Sequence, residues 1–98
     1  MRSVSPADAV RALQAGAPFF DVRSPSHHAR DGLPGSRNLP LEAIQSGTVP
    51  TDVEPDEPVY LVCERGLISE LAGLYLEQAG FTAVVNVRGG LVALRPLL

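Results

Sequence analysis

Cys63 is the single thiol of the chain. It closes the run Val59-Tyr60-Leu61-Val62-Cys63, whose successive apolar, β-favouring residues read as a strand covered on both faces. The segment Cys63-Glu64-Arg65-Gly66-Leu67-Ile68-Ser69 then leads into a helix. A tight loop between a strand and a helix N-terminus turns several backbone N–H groups inward, and the helix dipole adds to their pull on an anion. A sulfur at the base of such a loop is favoured as thiolate, because amide dipoles stabilise the charged form. Gly66 permits the tight path and Arg65 offers one positive charge to an anionic substrate. The bland alternative is a small buried hydrophobe at the end of a core strand, and residue types alone leave both readings open. Asp21 and Arg23 end an earlier strand and read as an ordinary ion pair or strand-end cap. His27 and His28 are adjacent, so on a helical turn they diverge by about 100° and read as a solvated pair rather than two ligands of one metal. Asp52, Glu54, Asp56 and Glu57 read as a solvated loop, and Tyr60 and Tyr75 as core or half-buried residues.

Composition narrows the classes. Ninety-eight residues suit one domain, 1–98, with 45% apolar residues, an ordinary value for a globular protein. The net charge of −3 speaks against a nucleic-acid partner. All eight basic residues are Arg, which removes lysine Schiff-base chemistry and a P-loop lysine. One cysteine excludes an internal disulfide framework and multi-cysteine metal sites. No stretch approaches the ~20 apolar residues that span a bilayer, and Met1 to Pro6 lacks the apolar run of a secretory signal. A lone thiol without such a signal points to the reducing cytoplasm.

The elements that position Cys63 alternate. Ser5 caps a helix with Pro6 at its first position, Val10 and Leu13 on its apolar face and Gly16 as its stop. Phe19 to Val22 reads as a buried strand, and residues 26–31 as a helical turn within a polar, turn-rich segment. Ser36 to Leu39 is a brief strand, Leu41 to Ser46 a short helix, and Thr48 to Pro58 a surface loop. A helix from about Ser69 to Ala79 carries Leu71, Leu74, Tyr75 and Gln78 at helical spacing. Ala83 to Val87 is a further strand, Arg88-Gly89-Gly90 a turn, and a terminal helix breaks near Pro96. Strands separated by helices predict parallel pairing, so the fold class is α/β, a three-layer α/β/α sandwich with a mainly parallel central sheet. Ligands in such sheets bind beyond the carboxyl ends of the strands, where Cys63 stands.

The whole pattern resembles the single-domain rhodanese sulfurtransferases, with five segments in order across residues 3–95. Asp21-Val22-Arg23 resembles the family's Asp-Val-Arg, and Leu33-Pro34-Gly35-Ser36-Arg37-Asn38-Leu39-Pro40 its Ile-Pro-Gly-Ala-x-Asn-Ile-Pro. Val59 to Cys63 is similar to the strand ending in the nucleophile. Gly66 and Ser69 fit Cys-x-x-Gly-x-x-Ser, and Ala79-Gly80-Phe81 with Arg88-Gly89-Gly90 fits the closing pattern. The chain departs from the family at Asp31-Gly32, where Gly-His is common, and at Leu94, where Trp is common. It departs again inside the loop at Glu64 and Ile68.

The resemblance implies a ping-pong sulfurtransferase. The Cys63 thiolate takes a sulfane sulfur from thiosulfate or a persulfide, holds it as a persulfide on the loop of Glu64, Arg65, Gly66, Leu67, Ile68 and Ser69, and passes it to a thiol or other nucleophile. Asp21 and Arg23 lie near that loop in the family, which implies a role in holding it. No metal or organic cofactor is implied, nor a membrane, and a monomer or weak dimer is the expected state. Glu64 beside the sulfur opposes a thiolate unless it faces solvent, and an acidic rim repels dianionic thiosulfate. One competing reading is a catalytically weak partner-binding or redox-sensing module. The other is a cysteine phosphatase or arsenate reductase, which needs a longer loop closed by Arg.

Overall fold

The computed structural model describes residues 1–98 and places five parallel strands in one sheet. In chain order the strands are β1 (Arg2–Val4), β2 (Phe19–Asp21), β3 (Arg37–Asn38), β4 (Val59–Val62) and β5 (Val84–Val87), and they lie side by side as β1-β5-β4-β2-β3. The helices are α1 (Pro6–Gln14), α2 (Pro25–Asp31), α3 (Leu41–Gln45), α4 (Ile68–Gln78) and α5 (Gly90–Leu94), followed by a 3₁₀ turn over Arg95–Leu97. No helix is long and apolar enough to cross a membrane. The expected elements are present to within a residue or two. β1 is the addition: Arg2, Ser3 and Val4 pair with Val85, Asn86 and Val87 at the sheet edge. A three-residue edge strand with one buried position carries too short a pattern to read from residue types.

Alternation along the strands splits the core into two layers. Phe20, Val59, Leu61 and Val84 point to the face covered by α3 and α4, with Ile44, Ala72 and Leu76 packed on them. Phe19, Val62, Val85 and Val87 point to the opposite face, under Ala9 of α1 and Leu91 and Leu94 of α5. Strand β4 is central and wholly apolar because both layers claim it. Phe19 stacks on Tyr60 with ring centroids 4.8 Å apart. Ser5 caps α1, its side chain accepting from the Asp8 amide at 3.1 Å, with Pro6 at the first helical position.

Helix α4 corrects the apolar stripe expected from spacing. Its buried positions are Ser69, Ala72, Gly73 and Leu76, whereas Leu71 and Leu74 are exposed. The cause is the close approach of the helix to the sheet. A Cβ on Gly73 would meet Val84 Cγ1 at 3.2 Å and press into the Met1 side chain, so small residues form the contact face.

The topology also locates the site. From β2 the chain moves outward to β3, while from β4 it moves the other way to β5. The carboxyl ends of β2 and β4 therefore flank the switch point, the crevice where ligands of open α/β sheets bind. Asp21-Val22-Arg23 ends one strand and Cys63 follows the other.

The packing of α4 predicts an asymmetric pair of substitutions. Leu76→Ala removes a fully buried side chain and should cost about 2–5 kcal/mol in a denaturant titration. Leu74→Ala, on the exposed side, should stay within about 0.5 kcal/mol.

Candidate active site

The backbone leaves β4 at Val62, and Cys63 turns its sulfur toward the start of α4. The N-cap residue of α4 is Leu67, which makes no side-chain cap hydrogen bond. Cys63 Sγ takes that role: it accepts from the Ser69 amide at 3.2 Å and from the Gly66 amide at 3.2 Å. Two converging amides and the positive end of a helix of 11 residues favour negative charge on the sulfur. Gly66 reaches its place at φ 88°, a conformation natural to glycine.

A buried polar chain fixes this arrangement. Asn86, 4% exposed on β5, donates from Nδ2 to the Gly66 carbonyl at 3.1 Å. That carbonyl only accepts, so Asn86 presents Oδ1 to Ser69, whose hydroxyl donates to it at 2.5 Å. Ser69 Oγ is left with a lone pair toward Cys63 Sγ, 3.3 Å away, and accepts the S–H of the protonated thiol. The backbone amides are thus the donors to the sulfur, and the serine hydroxyl is held by Asn86. Sequence reading placed Asn86 within a strand and assigned it no role. The available signal was an amide inside Val84-Val85-Asn86-Val87, because a buried amide requires partners.

The turn after β5 holds the loop from behind. The amides of Leu91 and Val92 donate to the carbonyls of Cys63 and Glu64 at 2.9 and 3.0 Å. Gly90 has φ 62°, and a Cβ there would sit 2.5–2.7 Å from Cys63 O, Glu64 O and Arg65 N. Gly90 is therefore a contact requirement of the sulfur loop, not merely a turn residue, whereas a Cβ on Gly89 would meet Ala93 Cβ at 2.7 Å.

The other wall is charged. Asp21 is fully buried and Arg23 almost so; Arg23 Nε and Nη2 donate to the Asp21 carboxylate at 2.8–3.2 Å, and the Arg23 amide adds a bond at 3.0 Å. Asn38 Nδ2 donates to the carbonyls of Asp21 and Arg23, both at 3.0 Å, pinning the end of β2. The free edge of the Arg23 guanidinium reaches Asp31 Oδ1 at 2.9 Å and Glu64 Oε1 at 3.6 Å. Arg95 Nη2 approaches the same two carboxylates, at 3.1 Å from Glu64 Oε1 and 3.5 Å from Asp31 Oδ2. Its contacts are ion pairs without an aligned hydrogen bond. Hydrogen bonding to Asp21 holds the Arg23 guanidinium charged, above its ordinary range against the opposing effect of burial. The Arg23 guanidinium likewise holds the Asp31 carboxyl below the usual carboxylate range, with Arg95 and Arg30 adding to the effect.

Between these walls lies a pocket of about 340 Å³ lined by Arg23, Ser24, His27, Arg30, Cys63, Glu64 and Ile68. Of the residues expected at the site, Cys63, Gly66 and Ser69 converge directly, and Arg23 and Glu64 meet at the mouth. Arg65 is exposed and contributes nothing to the pocket lining, where the cations are Arg23 and Arg30. Leu67 is exposed, while Ile68 lines the pocket. His27 and His28 face different partners: Nδ1 of His27 lies 2.5 Å from Ser24 Oγ, and Nε2 of His28 lies 3.2 Å from the Ser36 carbonyl and hydroxyl.

A parallel α/β sheet with a cysteine sulfur cradled by backbone amides at its switch point defines a cysteine-centred α/β domain. A rhodanese-like domain family model matches residues 5–95, and the chain belongs to that family. It is 30% identical over 87 residues to thiosulfate sulfurtransferase GlpE of Pseudomonas paraeruginosa, covering 89% of this chain and 77% of that one. It is 30% identical over 89 residues to tRNA sulfurtransferase of Shewanella piezotolerans, covering 83% of this chain and 17% of that one. Against the Bacillus subtilis protein YqhL it is 32% identical and spans 62% of the length. A solved rhodanese homologue from Thermus thermophilus superposes with a TM-score of 0.73 at 39% identity, covering 94% of this chain and 99% of that one.

Two measurements follow from the site. Gly90→Ala should destabilise the protein by about 1–3 kcal/mol from backbone strain, with more from contact. It should also slow iodoacetamide alkylation of Cys63 at neutral pH as the loop amides shift. Asp31, with its lowered range, supports the fold fully above the ordinary aspartate value of about 3.9, and that support is lost as pH falls through the lower folded value. Its carboxyl carbon, followed by NMR, should titrate below that of a free aspartate; a midpoint at or above the free value would show that the contact to Arg23 does not hold it.

Proposed function

We propose that this protein is a rhodanese-type sulfurtransferase with Cys63 as its nucleophile, acting as one unit over residues 1–98. The observation that carries the reading is the pair of amides, from Gly66 and Ser69, directed at Cys63 Sγ. An atom so placed is stabilised as thiolate for attack and again as the anionic end of a persulfide. In the first half-reaction the thiolate attacks the sulfane sulfur of the donor. A bond forms between Cys63 Sγ and that sulfur, the donor's S–S bond breaks, and its electron pair leaves with the remainder of the donor. In the second, an acceptor thiolate attacks the outer sulfur of Cys63–S–S⁻ and the Cys63 thiolate is regenerated. The loop from Glu64 to Ser69 holds the transferred sulfur, with Gly66 and Ser69 as its amide donors. Asp21 and Arg23 support the loop from the end of β2 through the Arg23 contact to Glu64.

The chemistry calls for no metal and no organic cofactor, since two-electron sulfur transfer needs only a nucleophile and a leaving group. A thiol that is restored in every cycle fits a reducing compartment such as the cytoplasm. The relatives named as sulfurtransferases support the assignment.

Incubation with a sulfane donor, followed by intact mass measurement, should show one added sulfur atom on the wild type and none on Cys63→Ala. Equal absence in both, with the fold retained, would overturn the assignment.

A further inference from the structure

Cys63 faces a mouth whose charges cancel. Arg23, Arg30 and Arg95 stand against Asp21, Asp31 and Glu64. Asp21 occupies one edge of Arg23 and Asp31 the other, and Glu64 lies 3.1 Å from Arg95 and 3.6 Å from Arg23. The two guanidiniums nearest the loop are therefore taken up by carboxylates of the protein itself. Beside the exposed Glu64 and Arg65, the loop shows two apolar side chains, Leu67 75% and Ile68 50% exposed, and Ile68 forms part of the pocket wall.

We propose that Glu64 is a specificity-determining residue that turns this site away from dianionic thiosulfate and toward sulfur carried on an organic thiol, R–S–SH. The proposal rests on the sulfurtransferase reading above. With thiosulfate, Cys63–S⁻ and S–SO₃²⁻ give Cys63–S–S⁻ and SO₃²⁻, so three negative charges gather in a mouth that offers no net positive charge. With the persulfide, Cys63–S⁻ attacks the outer sulfur of R–S–SH. The S–S bond of the donor breaks, R–S⁻ leaves with the electron pair and takes a proton from water, and Cys63–S–SH remains. One negative charge is present throughout. The organic group R meets Ile68 of the pocket wall, an apolar surface that a small hydrated dianion cannot use.

The test compares rates of sulfur loading onto Cys63, read by mass, from thiosulfate and from 2-hydroxyethyl persulfide, whose organic group carries no charge. Glu64→Gln removes one carboxylate charge from the mouth, leaving Arg95 with Asp31 alone, and should raise the thiosulfate-to-persulfide rate ratio by roughly five- to tenfold. The wild-type thiosulfate rate should rise with added salt, because screening relieves repulsion, and this rise should flatten in Glu64→Gln. A capped neutral peptide bearing one cysteine persulfide separates the sources: a faster rate than 2-hydroxyethyl persulfide marks a protein-borne donor, and an equal or slower rate marks a small thiol. An unchanged ratio in Glu64→Gln, or a wild-type thiosulfate rate that falls with salt, overturns the role of Glu64 while leaving the sulfurtransferase reading in place. Failure of every donor to load Cys63 overturns both.

Discussion

Two backbone N–H groups aimed at one sulfur atom are the constraint around which this molecule is arranged. Leu67, the N-cap of helix α4, has no side chain able to cap it, so an orphan amide of the helix's first turn is satisfied by Cys63 Sγ. The sulfur thus ends a strand and caps a helix at once. Such a bond holds only if the five residues between Cys63 and Ser69 follow a tight path. Gly66 in a left-handed conformation makes that path, and Gly90 leaves room for it by bringing α5 against the loop carbonyls. Asn86 then ties the Gly66 carbonyl to the Ser69 hydroxyl. Two stretches distant in sequence, 63–69 and 86–90, converge so that one atom receives two hydrogen bonds.

The charged wall opposite works on another principle. A buried Asp21–Arg23 pair is poor evidence for stability, since desolvation offsets much of the attraction. Its value is geometric: the guanidinium is clamped on one edge and made rigid, so its remaining edge projects to a fixed place at the crevice mouth. Asp31 and Glu64 converge on that edge from α2 and the sulfur loop, and Arg95 joins them from the chain's last turn. Arg65, the cation nearest Cys63 in sequence, is exposed and forms none of these ion pairs. Residues from four parts of the chain therefore set the electrostatics of the mouth, and proximity in sequence does not.

Much of this was legible from residue types. The β4 run ending in Cys63, the Ser5-Pro6 helix start, the Gly66 turn and the Gly89-Gly90 pair each express a local backbone requirement. Local requirements are what residue types report. Helix α4 shows the limit. Leu71 and Leu74 look like its core face by spacing, yet the sheet lies so near that only Ala72 and Gly73 fit beneath, with Leu76 and Ser69 completing the buried side. Spacing finds a helix, but the distance of its neighbour decides which side is inside.

The sequence by itself determined that a parallel α/β sheet would present a lone thiol before a helix N-terminus, because hydrophobic period, caps and glycines act within a few residues. Only the tertiary structure decided which partners that thiol and its mouth would have. Asn86 reaches Ser69 across 17 positions, and Arg95 reaches Glu64 from the chain's end. Hydrogen bonds and ion pairs depend on separation in space, and space is assigned only once β5 lies beside β4 and α5 folds back over the loop.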